Sequence, residues 1–174
     1  NASARPAPDV RDGTLVGPIV MYIGNLEPYQ GIDLLLESFR RLRGRMEAGL
    51  VVVGGHPRDV ETYRAKAGAM GIGGSVHLLG QQPVAQIDAF MAQADLLVSP
   101  RIQGENTPMK VYTYLDSGVA VLATDLATHT QVMDRTVAGL AAPDPAPFAL
   151  EMEALLLAPE RRRESDPALV RGVH

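Results

Sequence analysis

The sequence predicts a doubly wound α/β domain, a mainly parallel, Rossmann-like sheet covered by helices on both faces. Three observations carry that expectation. Short apolar runs rich in Val, Leu and Ile alternate along the chain with segments of helical spacing. The runs are apolar throughout, as strands buried on both faces must be. Several of them stop at glycine, which lets backbone come close to a ligand. Right-handed crossovers wind such alternating elements into one sheet. Ligands then bind beyond the carboxyl ends of the strands, at the switch point between the first and fourth.

The elements follow in order. Pro18 to Ile23, ended by Gly24, reads as the first strand, and the helix after it carries Ile32, Leu35, Leu36, Phe39 and Leu42 on one face. Leu50 to Val53, closed by Gly54-Gly55, is the second strand, and Arg58 to Met70 a weakly amphipathic helix. Val76 to Leu79 ends at Gly80 as the third strand. Ile87, Phe90 and Met91 mark a short helix before the fourth strand, Asp95 to Val98. Met109 to Leu115 has helical spacing and stops at Ser117-Gly118, with Tyr112 and Leu115 read as core. Ala120 to Ala123 is the fifth strand, Thr128 to Met133 a short helix, and Ala138 to Ala141 the sixth strand. Phe148, Met152, Leu155 and Leu156 place the last helix. Asn1 to Gly17, rich in Pro, Ala and Asp, has no apolar period and reads as a linker. Residues 18–174 are then the domain, cut from a longer protein.

Composition narrows the function classes. At 174 residues the chain suits one domain with a full core. Apolar residues make up 46% and charged residues 21%, with a net charge of −4. A mildly acidic chain has no general attraction for nucleic acid, which is excluded as a partner, so a bound anion must be held by local geometry. The lack of cysteine rules out a disulfide framework and a thiolate metal site, and fits a reducing, cytoplasmic setting. No apolar stretch approaches the roughly 18 residues of a membrane-spanning helix, and no signal-peptide pattern is present. The first strand is not followed by GxGxxG, and neither GxxxxGK[ST] nor a serine elbow occurs. His56, His77, His129 and His174 lack metal-ligand spacing and read as ordinary polar or turn residues.

The most informative segment is Ser99-Pro100-Arg101-Ile102-Gln103-Gly104-Glu105-Asn106-Thr107-Pro108-Met109-Lys110. Thr107-Pro108 is a helix start, a hydroxyl N-cap followed by a proline where no amide is needed. A polar loop therefore leaves a strand and opens a helix, bringing Arg101, Glu105 and Lys110 to one spot. Free amides and the positive end of a helix dipole suit a phosphate. The two cations add charge-assisted bonds, and a carboxylate beside them suits a sugar hydroxyl. The segment reads as a nucleotide-sugar site. A lysine in the first helical turn opposes the dipole at a cost of about 0.3–1 kcal/mol, which an anion would relieve. Glu105 is equally well explained as a carboxylate at a helix start. Tyr29 is open between an exposed loop aromatic and a stacking surface.

The run Tyr22-Ile23-Gly24-Asn25-Leu26-Glu27-Pro28-Tyr29-Gln30-Gly31-Ile32-Asp33-Leu34-Leu35 resembles the opening of the C-terminal domain of retaining GT-B glycosyltransferases, the group 1 family. Val53-Gly54-Gly55 resembles its second glycine turn, and Val76-His77-Leu78-Leu79-Gly80 its third strand and nucleobase loop. Gly104-Glu105 through Ser117-Gly118-Val119-Ala120-Val121-Leu122-Ala123-Thr124 resembles its donor helix and the strand beyond. The resemblance covers roughly Pro18 to Leu157. It implies one half of a GT-B fold that binds a nucleoside-diphosphate sugar as donor substrate, with no cofactor and no metal. The implied partners are that nucleotide sugar and an N-terminal acceptor domain of the same protein, with peripheral membrane association through that half. A hexose would pass to a glycan or glycolipid precursor with retention, and the isolated domain would not turn over.

By the same resemblance, Glu105, Arg101 and Lys110 are expected to do the chemistry. Gly24, Asn25, Gln30, Gly54, Gly55, Gly80, Gln81, Asn106, Thr107 and Thr113 are expected to hold the donor, its base near Gly80-Gln81 and its phosphates near Gly24 and Thr107. The family usually has two glutamates eight positions apart; Glu105 occupies the first, but the ribose position falls on Thr113. It also usually has an arginine and a lysine in the first loop, where this chain has Asn25 and Gln30. Arg101 and Lys110 are the expected replacements. Two other readings stay open, a degenerate, non-catalytic interaction domain and a nucleotide-sugar epimerase of the same fold.

Overall fold

The computed structural model describes residues 8–11, 13–104, 109–131 and 138–158. Six strands, β1 (Ile19–Ile23), β2 (Gly49–Val53), β3 (Val76–Gly80), β4 (Leu96–Ser99), β5 (Ala120–Thr124) and β6 (Gly139–Ala141), form one sheet in the order β3-β2-β1-β4-β5-β6. Every pairing between them is parallel. This is the doubly wound order, with its reversal between β1 and β4. The expected fold class and strand sequence are therefore those observed.

Among the described residues six α-helices, α1 (Ile32–Arg43), α2 (Pro57–Ala69), α3 (Ile87–Met91), α4 (Met109–Asp116), α5 (Ala127–Thr130) and α6 (Pro145–Leu157), accompany the strands. The strand period of two divides the core. Val20, Tyr22, Leu50, Val52, Leu96, Val98 and Leu122 face α1 and α6, where Leu35, Phe39, Phe148 and Met152 close the layer. Ile19, Met21, Val51, Val53, Leu97 and Val121 face the other way, onto Phe90 of α3 and Val111 and Tyr114 of α4. Val60, Tyr63 and Ala67, three and four residues apart, are the buried residues of α2, which explains its weak sequence signal.

Several boundaries shift for physical reasons. Pro18 precedes β1 because it has no amide to give the ladder. Asp95 stays outside β4: its Oδ2 accepts from Ile19 N at 2.8 Å and pairs with Arg11 at 2.8 Å. In α4 the phase places Tyr114 in the core and leaves Tyr112 46% exposed, so the expectation of a core Tyr112 is corrected; Leu115 is half-buried against the core. Residues 8–17 carry no helix or strand among those described, yet Val10 and Leu15 are buried with Ile19 and Phe90. Those two side chains pack against the core, and the other described residues of the stretch are exposed or half-buried. The Thr107-Pro108 helix start, and Met133 of the expected helix over Thr128 to Met133, lie outside the described residues.

Gly31 joins a 3₁₀ turn, Pro28–Gln30, to α1 at φ 80°, and a Cβ there would collide with the Pro100 carbonyl. Gly31→Ala should destabilise the protein by about 1–2 kcal/mol from the left-handed conformation alone, with more from the collision. A urea titration showing an unchanged midpoint would refute this.

Candidate functional site

The carboxyl edge of the sheet is where three backbone turns converge. Gly24 follows β1 and donates its amide to Val53 O at 2.9 Å, while Gly54 N donates to Gly80 O at 2.8 Å. A Cβ at Gly54 (φ 124°) would strike the Gly24 carbonyl, so only glycine lets these turns approach. They frame a cavity of about 300 Å³ floored by Ile23, Val53 and Ile87 and rimmed by Asn25, Gly54, Gly55, Gln81 and Gln82. A second cavity, of about 380 Å³ and lined in part by Gly80, adjoins it at Gly55 and Gln81. An apolar floor with an amide rim suits a planar heterocycle with polar edges.

On the other side of the Gly24 turn lies Lys110. A Cβ at Gly24 would sit 2.5 Å from Lys110 Nζ, so the ammonium rests directly against this backbone. Nζ donates to Tyr22 Oη at 2.9 Å and Gln30 Oε1 at 3.3 Å, and lies 4.1 Å from the centre of the Tyr22 ring. Burial, then the nearby Arg101 charge, lowers the Lys110 pKa to about 7. The Arg101 guanidinium stacks 5.0 Å from the centre of the Tyr29 ring, and its Nε donates to Gln103 O at 2.8 Å. Tyr29 is thus a stacking surface. Among the described residues no carboxylate pairs with Lys110 or Arg101.

Tyr22 Oη donates to Asn25 O at 2.5 Å, and burial raises its pKa well above the usual tyrosine range. Asn25 Oδ1 accepts from Glu27 N at 3.0 Å, which fixes the first loop. Gln30, 6% exposed, offers its Oε1 to the lysine. Gly24, Asn25, Gln30, Gly54, Gly55, Gly80, Gln81, Arg101 and Lys110 therefore gather at this edge. Thr113 does not join them: it is exposed and lines a separate cavity of about 400 Å³ between α3 and α4, with Asp88, Met91 and Asp116. Glu105, Asn106 and Thr107 lie outside the described residues.

Sequence reasoning missed His129. It is fully buried, contrary to its reading as an ordinary polar or turn residue. Its Nδ1 lies 2.9 Å from Thr124 O and its Nε2 2.7 Å from Ser99 Oγ. Burial lowers its pKa to about 4, so the ring is neutral near pH 7. The available signal was the run Thr128-His129-Thr130, a few residues past the fifth strand, at the carboxyl edge of the sheet. Among the described residues no His, Asp or Glu cluster has metal-site geometry, and no helix is long and apolar enough to cross a membrane.

The chain matches the family described as "Glycosyl transferases group 1" over residues 17–158. It is similar to the phosphatidyl-myo-inositol mannosyltransferase of Mycobacterium leprae, at 31% identity over 161 residues, covering 88% of this chain and 41% of that protein. Among solved structures it is similar to Anabaena Alr3699/HepE in complex with UDP and glucose, with TM-score 0.78, 16% identity and coverage of 88% and 43%. It is also similar to the C-terminal domain of a glycosyl transferase group 1 family protein (LpcC) from Francisella tularensis, with TM-score 0.75, 17% identity and coverage of 92% and 88%. At these identities the solved structures show a shared fold. The chain spans a third to two fifths of the length of the curated relatives it matches.

Proposed function

The chain belongs to the glycosyl transferases group 1 family, and from that premise we propose that it is the nucleotide-sugar-binding domain of an enzyme that transfers a hexose from a nucleoside-diphosphate sugar to an acceptor. The acceptor, a glycan or glycolipid precursor, is held by a preceding domain of the same protein, and transfer proceeds with retention. The domain runs from residue 18 onward and by itself binds donor without turning it over.

One observation carries this reading. Lys110 at the Gly24 turn is buried with the Arg101 charge nearby, and no described carboxylate pairs with either. Such an arrangement is stabilised by a polyanion, and the cavity beside it matches the base of a nucleotide. The neutral first loop supports the same reading. The position where the family usually carries a lysine is Gln30, and its Oε1 receives the Lys110 ammonium arriving from α4. The helix thus brings a positive charge to the side chain of the first loop's position 30. A second lysine at 30 would face Lys110 with like charge.

In the reaction the departing diphosphate gains negative charge. Lys110 lies in a low-dielectric setting, where its stabilisation of that charge is stronger than in water. Arg101 offers a planar fork that matches two phosphate oxygens, preorganised on the Tyr29 ring. Glu105 contacts the donor sugar.

Chemical-shift mapping with UDP and with GDP tests the site. Perturbations are expected at Gly24, Gly54, Gly80, Gln81 and Lys110. Shifts confined to the opposite edge of the sheet, around Gly49 and Gly74, would sink the reading; so would saturable binding to neither nucleotide, which would favour a non-catalytic domain.

A further inference from the structure

We propose that His129 is a positioning residue for the donor phosphates, holding in place, through Thr124, the backbone turn that presents Arg101. The proposal rests on the reading of Arg101 as a phosphate ligand.

Ser99 and Thr124 are the last residues of the neighbouring strands β4 and β5, and the chain leaves the sheet at each. Both are fully buried, as is His129. A carbonyl only accepts, so the 2.9 Å contact with Thr124 O places the ring proton on Nδ1. Nε2 is then an acceptor, and Ser99 Oγ donates to it at 2.7 Å. The imidazole thus braces the two strand ends across the gap where they diverge.

The brace continues to Arg101. Thr124 Oγ1 donates to Arg101 O at 2.5 Å and, with its own proton committed, accepts from His129 Nδ1 at 3.1 Å. On the far side, Ile102 N donates to Tyr29 O at 2.9 Å. The backbone at Arg101 is therefore pinned from β5 on one side and from the first loop on the other. Its side chain lies over Tyr29, held by the same loop. An apolar residue at 129 would leave Ser99 Oγ without its acceptor in a buried setting and free the Thr124 hydroxyl to turn, because a buried polar group without a partner is costly. A neutral imidazole satisfies both strand ends at once.

A double-mutant cycle read by calorimetric binding of UDP and GDP separates positioning from general support of the fold. Arg101→Ala should weaken diphosphate binding about tenfold, and His129→Ala at least about fivefold. In the Arg101→Ala background, His129→Ala should change affinity by less than about twofold, because its effect runs through the missing guanidinium. His129→Asn, which keeps a donor toward Thr124, should recover most of the affinity. If His129→Ala does not fold, Thr124→Val, which removes the hydroxyl contacts to Arg101 O and His129 Nδ1 and leaves the imidazole on Thr124 O and Ser99 Oγ, completes the same cycle. Equal losses from His129→Ala or Thr124→Val with and without Arg101 would overturn the proposal and leave Arg101 as a ligand. An Arg101→Ala variant that binds UDP and GDP normally would overturn both.

Discussion

Lys110→Met is expected to stabilise the ligand-free protein while sharply lowering the turnover of bound donor in the full-length enzyme. Lys110 is buried against Tyr22 and the Gly24 backbone, and burial lowers its pKa to about 7, so folding works against its charge. Methionine has a similar length and fills the space without the desolvation cost. Tyr22 Oη keeps a partner in Asn25 O, whereas buried Gln30 Oε1 loses the lysine as its donor, which offsets part of the gain. A gain of about 0.5–2 kcal/mol is expected, the range typical when a functional group is traded for stability. In the full-length enzyme the same substitution should lower turnover more than it raises the Michaelis constant, because the contact strengthens as the leaving group gains charge. A loss of about 2.7–4 kcal/mol of barrier stabilisation follows if Lys110 acts like other preorganised oxyanion donors. Denaturant titration and steady-state kinetics on one variant check both halves. A destabilised apo protein with turnover within tenfold of the parent would reverse the assignment and make Lys110 a structural lysine.

The second large effect concerns pH. The folded Lys110 pKa of about 7 lies below its ordinary 10.5, so the unfolded chain holds more protons between these values. Stability therefore rises with pH across that window: the contribution is full above about 10.5 and lost as pH falls toward 7. At about 1.4 kcal/mol per unit the ceiling is roughly 5 kcal/mol. His129 acts in the same sense at lower pH, its contribution full above 6.5 and lost as pH falls through about 4, with a ceiling of roughly 3 kcal/mol. Buried Tyr22 and Tyr114 have raised pKa values, and their contribution is lost as pH climbs above the ordinary tyrosine value of 10. The apo protein should thus be most stable on the alkaline side, near pH 9–10, where many proteins have passed their maximum of about pH 5–8. Urea unfolding at pH 5, 7, 9 and 10.5 measures this, and Lys110→Met should flatten the limb above pH 7. A maximum at pH 6–7 in the parent would show that the ammonium is not desolvated. Nucleoside diphosphate binding must restore the full charge on Lys110, so it should take up protons at pH 8.

The amino-acid sequence alone determined the strands found among the described residues and their parallel doubly wound order, and it pointed to the carboxyl edge, where the ligand site is proposed. Those features are local: β-branched and leucine runs, helical periods and glycine stops each lie within a dozen residues, and parallel crossovers leave little choice of topology. It also singled out Arg101, Lys110 and the glycine turns. Side-chain partnerships were decided only by the tertiary structure, because they join distant segments. Lys110 meets Gln30 across 80 positions and Tyr22 across 88; sequence offered Lys110 as a replacement for the loop cations, but the contact with Gln30 appears only in the folded chain. The phase of α4 was decided in the same way: Tyr112 and Tyr114 look alike in sequence, and packing on the sheet buries Tyr114 alone. His129 was illegible for the most physical of reasons. A histidine becomes a buried, neutral brace only where two strand ends present a hydroxyl and a carbonyl at opposite sides of its ring, and no spacing along the chain encodes that meeting.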